Sequence, residues 1–489
     1  MHQYTILIIM GAYFLMLMAI SRLTSKGGNN DAFFRANGQS PWWLVAIGMI
    51  GTSISGVTFV SVPGMPQSIG MTYMQMVLGF AAGYIIIAKF LLPLYYRLNL
   101  ISIYKYLSDR FGKRSYKTGA TFFIISKIAG AAARLYLVVL ILQRFILDYW
   151  GVPFTVTALA IIALIWLYSQ RSGVYTIIRT DALQTAVFIS ALAIIIYYVT
   201  DRMGLDMRGA VRMIAEDPHS RIFVFDDWMS KQNFFKQFVS GIFITIVMTG
   251  LDQDMMQKNL TIKRLGEAQK NMYVYGIAFI PVNLLFLALG VLLIRYAGMF
   301  GIPLPANGDE ILPLMAGNYL GSMAFYLFCI GIIAAAFSSA DSALTALTTS
   351  FCIDILETGK MEEARGIRTR KTVHVGMSLA FAGIMVFIEQ LNNSSIIDVI
   401  YIMAGYTYGP LLGLFAYGLF MKSSPCDRHV PYIAVCSPVI SALAGYLTQH
   451  VWGYKMGYEL LMLNAAITFA LLYASSRAGN GMKIKPHTA

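Results

Sequence analysis

Of 489 residues, 57% are hydrophobic and 12% are charged, and the formal net charge is +13. A soluble domain carries roughly 25% charged residues, so a water-soluble fold of this length is excluded by the lack of a charged surface. The basic excess fits cytoplasmic loops of a membrane protein better than a nucleic-acid surface.

The apolar runs are continuous over about twenty residues, the length that spans a bilayer as a helix. Barrel strands would alternate over roughly ten. The chain is therefore predicted to be an all-α polytopic membrane protein with about 13 transmembrane helices. In chain order they fall near 4–22, 42–65, 70–98, 118–147, 151–169, 174–200 and 233–257, then 271–297, 319–354, 372–391, 395–421, 430–449 and 457–475. The first is expected to be a peripheral helix and not a cleavable leader, because no basic segment precedes it and no small-residue cleavage site follows. The longest connection, 201–232, is too short for a separate soluble domain, so the chain is one membrane domain.

Alternate connections are rich in Lys and Arg. They hold Arg22, Lys26 and Arg35, then Lys105, Arg110, Lys113, Arg114 and Lys117, then Lys258, Lys263, Arg264 and Lys270. Lys360, Arg365, Arg368, Arg370, Lys371, Lys483 and Lys485 continue the series. The positive-inside rule puts these connections in the cytoplasm, the N-terminus outside and the C-terminus inside. Cys329, Cys352, Cys426 and Cys436 have no metal-ligand spacing and read as reduced packing residues. The histidines are scattered, which argues against a metal enzyme.

Two spans are interrupted. The second carries Gly48, Gly51, Thr52, Ser53, Ile54, Ser55, Gly56 and Thr58, and the seventh ends in Thr249, Gly250, Leu251, Asp252, Gln253 and Asp254. Broken helices five spans apart are what an inverted-repeat transporter predicts, with ion and solute sites near the bilayer midplane. A small-residue packing face is the other reading. The ninth span contains Ala335, Ser338, Ser339, Asp341 and Ser342 within two turns. Ser338, Asp341 and Ser342 share a helix face, and oxygen ligands suit a hard cation. Back-bonding to carbonyls would account for the serines but not for Asp341, since an acid inside a span marks an ion path by default. Asp181 is a second acid in a span, and its neighbour Arg179 could neutralise it.

These residues resemble the sodium:solute symporters, the family of the sodium/glucose, sialic acid, proline and pantothenate carriers. The resemblance rests on Trp42-Trp43, Ser68-Ile69-Gly70, Tyr106 to Gly112, Gly173 to Gln184, the Ala335-to-Ser342 run and Gly409-Pro410 in order. It implies a leucine-transporter-like fold of two inverted five-helix repeats, 42–200 and 233–421, with the first helix and two C-terminal helices (430–475) outside them. It also implies Na+ as coupling ion, bound by Gly51, Ile54, Ala335, Ser338 and Ser339. A second cation would lie at Asp181, Ser338, Asp341 and Ser342. Two-sodium relatives typically offer a hydroxyl where Asp341 stands, so a proton could replace a second sodium here.

The implied activity is sodium-coupled symport of a small polar organic solute into the cell by alternating access, from a monomer or weak oligomer in the bacterial cytoplasmic membrane. A proton-coupled carrier of the same fold and a sodium-linked sensor are the alternatives. Sugar carriers use a glutamine and an acid at positions matching Thr58 and Val77, and Val77 cannot bond a sugar hydroxyl. The polar candidates around a solute are Thr58, Thr72, Gln75, Asp252, Gln253, Tyr406 and Thr407, each of which could instead satisfy a neighbouring broken helix. Asp252 favours a neutral or cationic solute unless Lys89, Lys127 or Arg134 offsets it.

Overall fold

The computed structural model describes residues 2–24, 30–170, 173–391, 396–454 and 456–478, with no strand among them. In a bilayer a helix satisfies its own backbone, which is why the apolar runs take this form. Helix α1 is His2–Thr24. Next come α2 (Trp42–Ser53) and α3 (Gly56–Gly64), two halves of one span parted at Ile54 and Ser55, whose ψ angles are 86° and 169°. Helix α4 (Tyr73–Ile86) continues through a π-helical turn to Arg97. The first half closes with α5 (Lys113–Leu142), α6 (Phe154–Ser169) and α7 (Val174–Arg202).

Helix α8 (Phe234–Thr245) runs into a π-helical turn at Ile246–Gly250 and then bends by 68° into α9 (Gln253–Asn259). After it come α10 (Leu265–Phe300), α11 (Ser322–Ser350), α12 (Glu363–Leu391), α13 (Ile396–Phe420), α14 (Val430–Trp452) and α15 (Glu459–Ala478).

Among the described residues, nine helical stretches are long and apolar enough to cross a membrane, ten if the bent pair is one span. The expected count of about 13 is not reached by this measure, for two physical reasons. Predicted spans two and three share one apolar helical run, Gly56–Arg97, of 42 residues. Trp42–Ser53 and Phe154–Ser169, at 12 and 16 residues, are shorter than the ~20 a simple crossing needs. The start of the predicted 395–421 span touches residues outside those described, as do Lys26, Lys483 and Lys485.

The broken helix α2–α3 lies against α7, α10 and α11, and α4 packs along α8. Glycines permit these approaches, as small residues do between membrane helices. A Cβ on Gly79 would stand 2.2 Å from the Phe238 carbonyl oxygen, and one on Gly241 would stand 2.4 Å from that of Met76. Helices α1 and α14 are the least enclosed of the spans.

Polar contacts fasten the connections at the two ends of the bundle. At one end Lys113 and Lys360 both pair with Glu357, at 2.7 and 2.5 Å, and hold its carboxyl down at about 2. Asp427 accepts from the backbone of Arg114 and Ser115 nearby. At the opposite end the 201–232 connection docks through Gln75, which accepts from the Val224 N–H and donates to the Gln232 carbonyl.

The α4–α8 contact yields a stability prediction. Overpacking a close site costs about 1–3 kcal/mol, so Gly79→Leu should lower the melting temperature of the purified protein by several degrees. Gly298→Leu, with nothing within 4 Å of its Cβ, should leave it unchanged. Equal melting temperatures for the two variants would contradict the packing.

Candidate ion and solute site

The first break is the centre of the arrangement. The last turn of α2 has no following turn to bond its carbonyls, because a helix end leaves four of them without intrahelical partners. Glycine brings this end onto its neighbours. A Cβ on Gly51 would meet Thr185 Oγ1 at 2.2 Å and Ser338 Oγ at 3.1 Å, and one on Gly56 would meet Ala336 Cβ at 3.3 Å. The break therefore abuts the stretch of α11 that carries Ala335 and Ser338. Ile54, Ala335 and Ser338 are fully buried. Ser339 is half-buried, and its hydroxyl donates to the Ala336 carbonyl at 3.0 Å.

Asp181 sits beside this junction, fully buried on α7. Its Oδ1 accepts from Ser338 Oγ at 2.8 Å, and its Oδ2 accepts from Ser342 Oγ at 3.1 Å and from Thr52 Oγ1 at 3.2 Å. The charge that meets it is Lys258, whose Nζ lies 2.6 Å from Oδ2. Two expectations change here. Arg179 does not neutralise Asp181; its guanidinium lies 3.9 Å over the Tyr175 ring and donates to the Tyr175 carbonyl. Lys258 is no loop charge either. Residues Gln253 to Asn259 are all buried, and the lysine points back into the bundle.

Asp341 makes a different hydrogen bond. Its Oδ2 accepts from Tyr168 Oη at 2.8 Å, while Oδ1 is buried with no hydrogen-bond partner among the described residues. Asp341 does not share the Asp181–Ser342 cluster by hydrogen bond.

The second break carries its own charge cluster. Where α8 gives way to α9, the Tyr95 hydroxyl donates to the Gly250 carbonyl (2.8 Å) and the Tyr104 hydroxyl to that of Leu251 (2.9 Å). Asp252 caps α9 by accepting from the N–H groups of Asp254 and Met255. From α5, Lys127 Nζ reaches both carboxylate oxygens of Asp252 at 3.1 Å and Asp254 at 2.8 Å, and Tyr408 Oη donates to Asp252 at 3.0 Å.

A cavity lies between the two breaks, bounded by Thr52, Ser53, Ser55, Thr58, Ser61, Lys127, Arg134, Asp252 and Tyr408 among others. Of the expected solute residues, Thr58 and Asp252 line it. Three others do not and have structural partners. Thr72 donates to the Ile69 carbonyl and to Gln232, Gln75 ties down the outer connection, and Gln253 bridges the backbone at Ile101 and Ile103. Tyr406 and Thr407 lie off the cavity wall; Tyr408, one position on, supplies the hydroxyl there. Arg134 is half-buried, lines the cavity and has no hydrogen-bond or ion-pair partner among the described residues.

A bundle with two interrupted helices around a cavity that lies between the breaks is the architecture of a secondary transporter. Residues 33–425 match the model of the sodium:solute symporter family, and the chain belongs to that family. It is 25% identical over 427 residues to the sodium/sialic acid symporter NanT of Aliivibrio fischeri, covering 84% of this chain and 82% of that one. It is 24% identical over 449 residues to the sodium/sialic acid symporter SiaT of Proteus mirabilis (89% and 88%). It is 22% identical over 443 residues to the human sodium/iodide cotransporter (84% and 66%). The structure of a Na+-coupled sialic acid symporter in a substrate-bound outward-open state superposes with TM-score 0.83 at 20% identity, covering 99% of both chains. The nucleobase-cation-symport-1 transporter Mhp1 gives 0.58 at 14% identity, covering 94% and 97%. The fold is therefore leucine-transporter-like, and Na+ is the coupling ion of the family.

The buried cluster at the second break can be tested directly. Removing one partner of a buried ion pair costs about 3–5 kcal/mol, because the remaining charge is stranded. Lys127→Met should sharply reduce the yield of monodisperse protein. Adding Asp252→Asn and Asp254→Asn should recover part of it, as read by size-exclusion chromatography. No recovery in the triple variant would contradict the pairing.

Proposed function

We propose that this chain imports a small polar organic solute bearing a carboxylate or similar anionic group, driven by sodium through alternating access. The observation that supports this most is the junction of the α2 break with α11. There freed carbonyls and serine hydroxyls converge, which are the oxygens a hard cation wants. On this reading Gly51 and Ile54 offer carbonyls, as does Ala335, while Ser338 and Ser339 offer hydroxyls. Thr58 and Asp252 face the solute, with Tyr408 joining them.

The anionic preference rests on the cavity's charges. Lys127 is engaged by two acids, which leaves Asp252 compensated. Arg134 is left as the cation facing the cavity, and a planar guanidinium suits a carboxylate bidentately. The relatives named for sialic acid make that acid the first compound to try.

The two repeats would be 42–200 and 233–421, with α1, α14 and α15 peripheral to them. The end where Glu357 gathers Lys113 and Lys360 would face the cytoplasm, which leaves the N-terminus outside and the C-terminus inside the cell membrane. The chain would work as a monomer or weak oligomer.

A ligand that binds only the folded state raises the melting temperature by mass action. Sodium should therefore stabilise the purified carrier relative to choline, and Ser339→Ala should remove most of that shift. An unchanged shift in the variant would place the ion elsewhere. In sodium, a panel of small carboxylates headed by sialic acid should contain a further stabiliser. A charged hydrogen bond contributes roughly 1.5–3 kcal/mol, so Arg134→Gln should weaken that solute at least tenfold while sparing the sodium shift. If solute and sodium responses fall together, Arg134 has a structural role instead.

A further inference from the structure

Lys258 is more than the partner of one acid. Its ammonium has three N–H donors, and three side-chain oxygens receive them: Asp181 Oδ2 at 2.6 Å, Ser342 Oγ at 2.7 Å and Thr52 Oγ1. These oxygens come from three different helices, α7, α11 and the end of α2. The lysine side chain is 2% exposed and Asp181 is fully buried. Such a hole, walled by one carboxylate and two hydroxyls and almost wholly buried, has the donor set and the charge to hold one monovalent cation. A buried carboxylate without a cation there would be a stranded charge.

We propose that the Lys258 ammonium is a tethered cation: it fills an oxygen-lined monovalent-cation hole between Asp181, Thr52 and Ser342, so the wild-type carrier binds no exchangeable ion there, and removing the side chain creates an ion site. The placement has a mechanical consequence. Thr52 stands on the last turn before the first break, and Lys258 stands on the short helix after the second. Asp181 and Ser342 belong to unbroken helices. One ammonium thus ties α9 to α2, α7 and α11, and a rearrangement that carries α9 away from all three must break three hydrogen bonds. A diffusible ion in this hole would let go of the frame on dissociation; a tethered one stays with α9 through the cycle.

The idea builds on the sodium-coupled reading in that it limits how many ions the carrier takes up, but its test is independent of that reading. Lys258→Ala opens the hole. In choline buffer the variant should melt several degrees below wild type, and millimolar methylammonium, small enough to refill the space, should return most of the loss. Methylammonium should leave wild type unmoved. The double variant Lys258→Ala/Asp181→Asn should lose the response. A variant with the same methylammonium and sodium dependence as wild type would overturn the proposal. Should Lys258→Ala fail to fold, equilibrium binding of radioactive sodium to wild type decides: at most one ion per chain supports the tethered cation, and two contradict it. Absence of any sodium response in wild type would sink sodium coupling, while the methylammonium gain would still judge the role of Lys258.

Discussion

Hydrocarbon offers no hydrogen bonds, so every interruption of a membrane helix must find its partners inside the protein. The two breaks at Ile54–Ser55 and Leu251–Asp252 obey that constraint in different ways. At the second, tyrosine hydroxyls from the 92–104 region take the freed carbonyls and Asp252 takes the freed N–H groups. At the first, the glycines let the broken end press on α7 and α11, where hydroxyls and a carboxylate are already gathered. The cavity lies between the two breaks, and some of the polar groups that line it, Lys127, Asp252 and Tyr408, also hold the second break together.

Buried charge follows from the same logic. Five side chains of charged type, Asp181, Asp252, Asp254, Lys127 and Lys258, lie buried within the bundle, each within 3.1 Å of one of opposite charge. Each pair crosses helices from different parts of the chain. Lys127 on α5 reaches the head of α9, and Lys258 at the tail of α9 reaches α7. The short helix α9 is thus held at both ends by ion pairs, not by length, since seven residues make only two turns. An element so short and so dependent on charge is suited to move when the charges around it change.

Much of this was legible in the sequence, because lipid leaves few choices. Helical spans, the two interruptions and the Ser338–Ser342 face all follow from composition and spacing. Of the residues expected around a cation at the first break and on α11, Gly51 and Ser338 lie side by side. What escaped was three-dimensional pairing. Lys258 looked like one more basic loop residue because it follows an apolar span, yet it sits four residues after Asp254 on a helix buried on all sides. Thr72, Gln75 and Gln253 have the polarity of solute ligands, but each is consumed by backbone that no linear pattern reveals. Tyr408 rather than Tyr406 faces the cavity, a two-residue shift that turns a helix through more than half a revolution. Length and composition alone count nine or ten spans among the described residues, because the broken and short helices fall below the length of a simple crossing.

The most direct measurement is an experimental structure of the carrier prepared in sodium and again in thallium, whose heavier ion marks a monovalent-cation site. The account predicts one strong peak between the α2 break and Ser338–Ser339, with Lys258 still seated on Asp181, Thr52 and Ser342. An ion at Asp181 with Lys258 swung away, or no ion at the break at all, would contradict it.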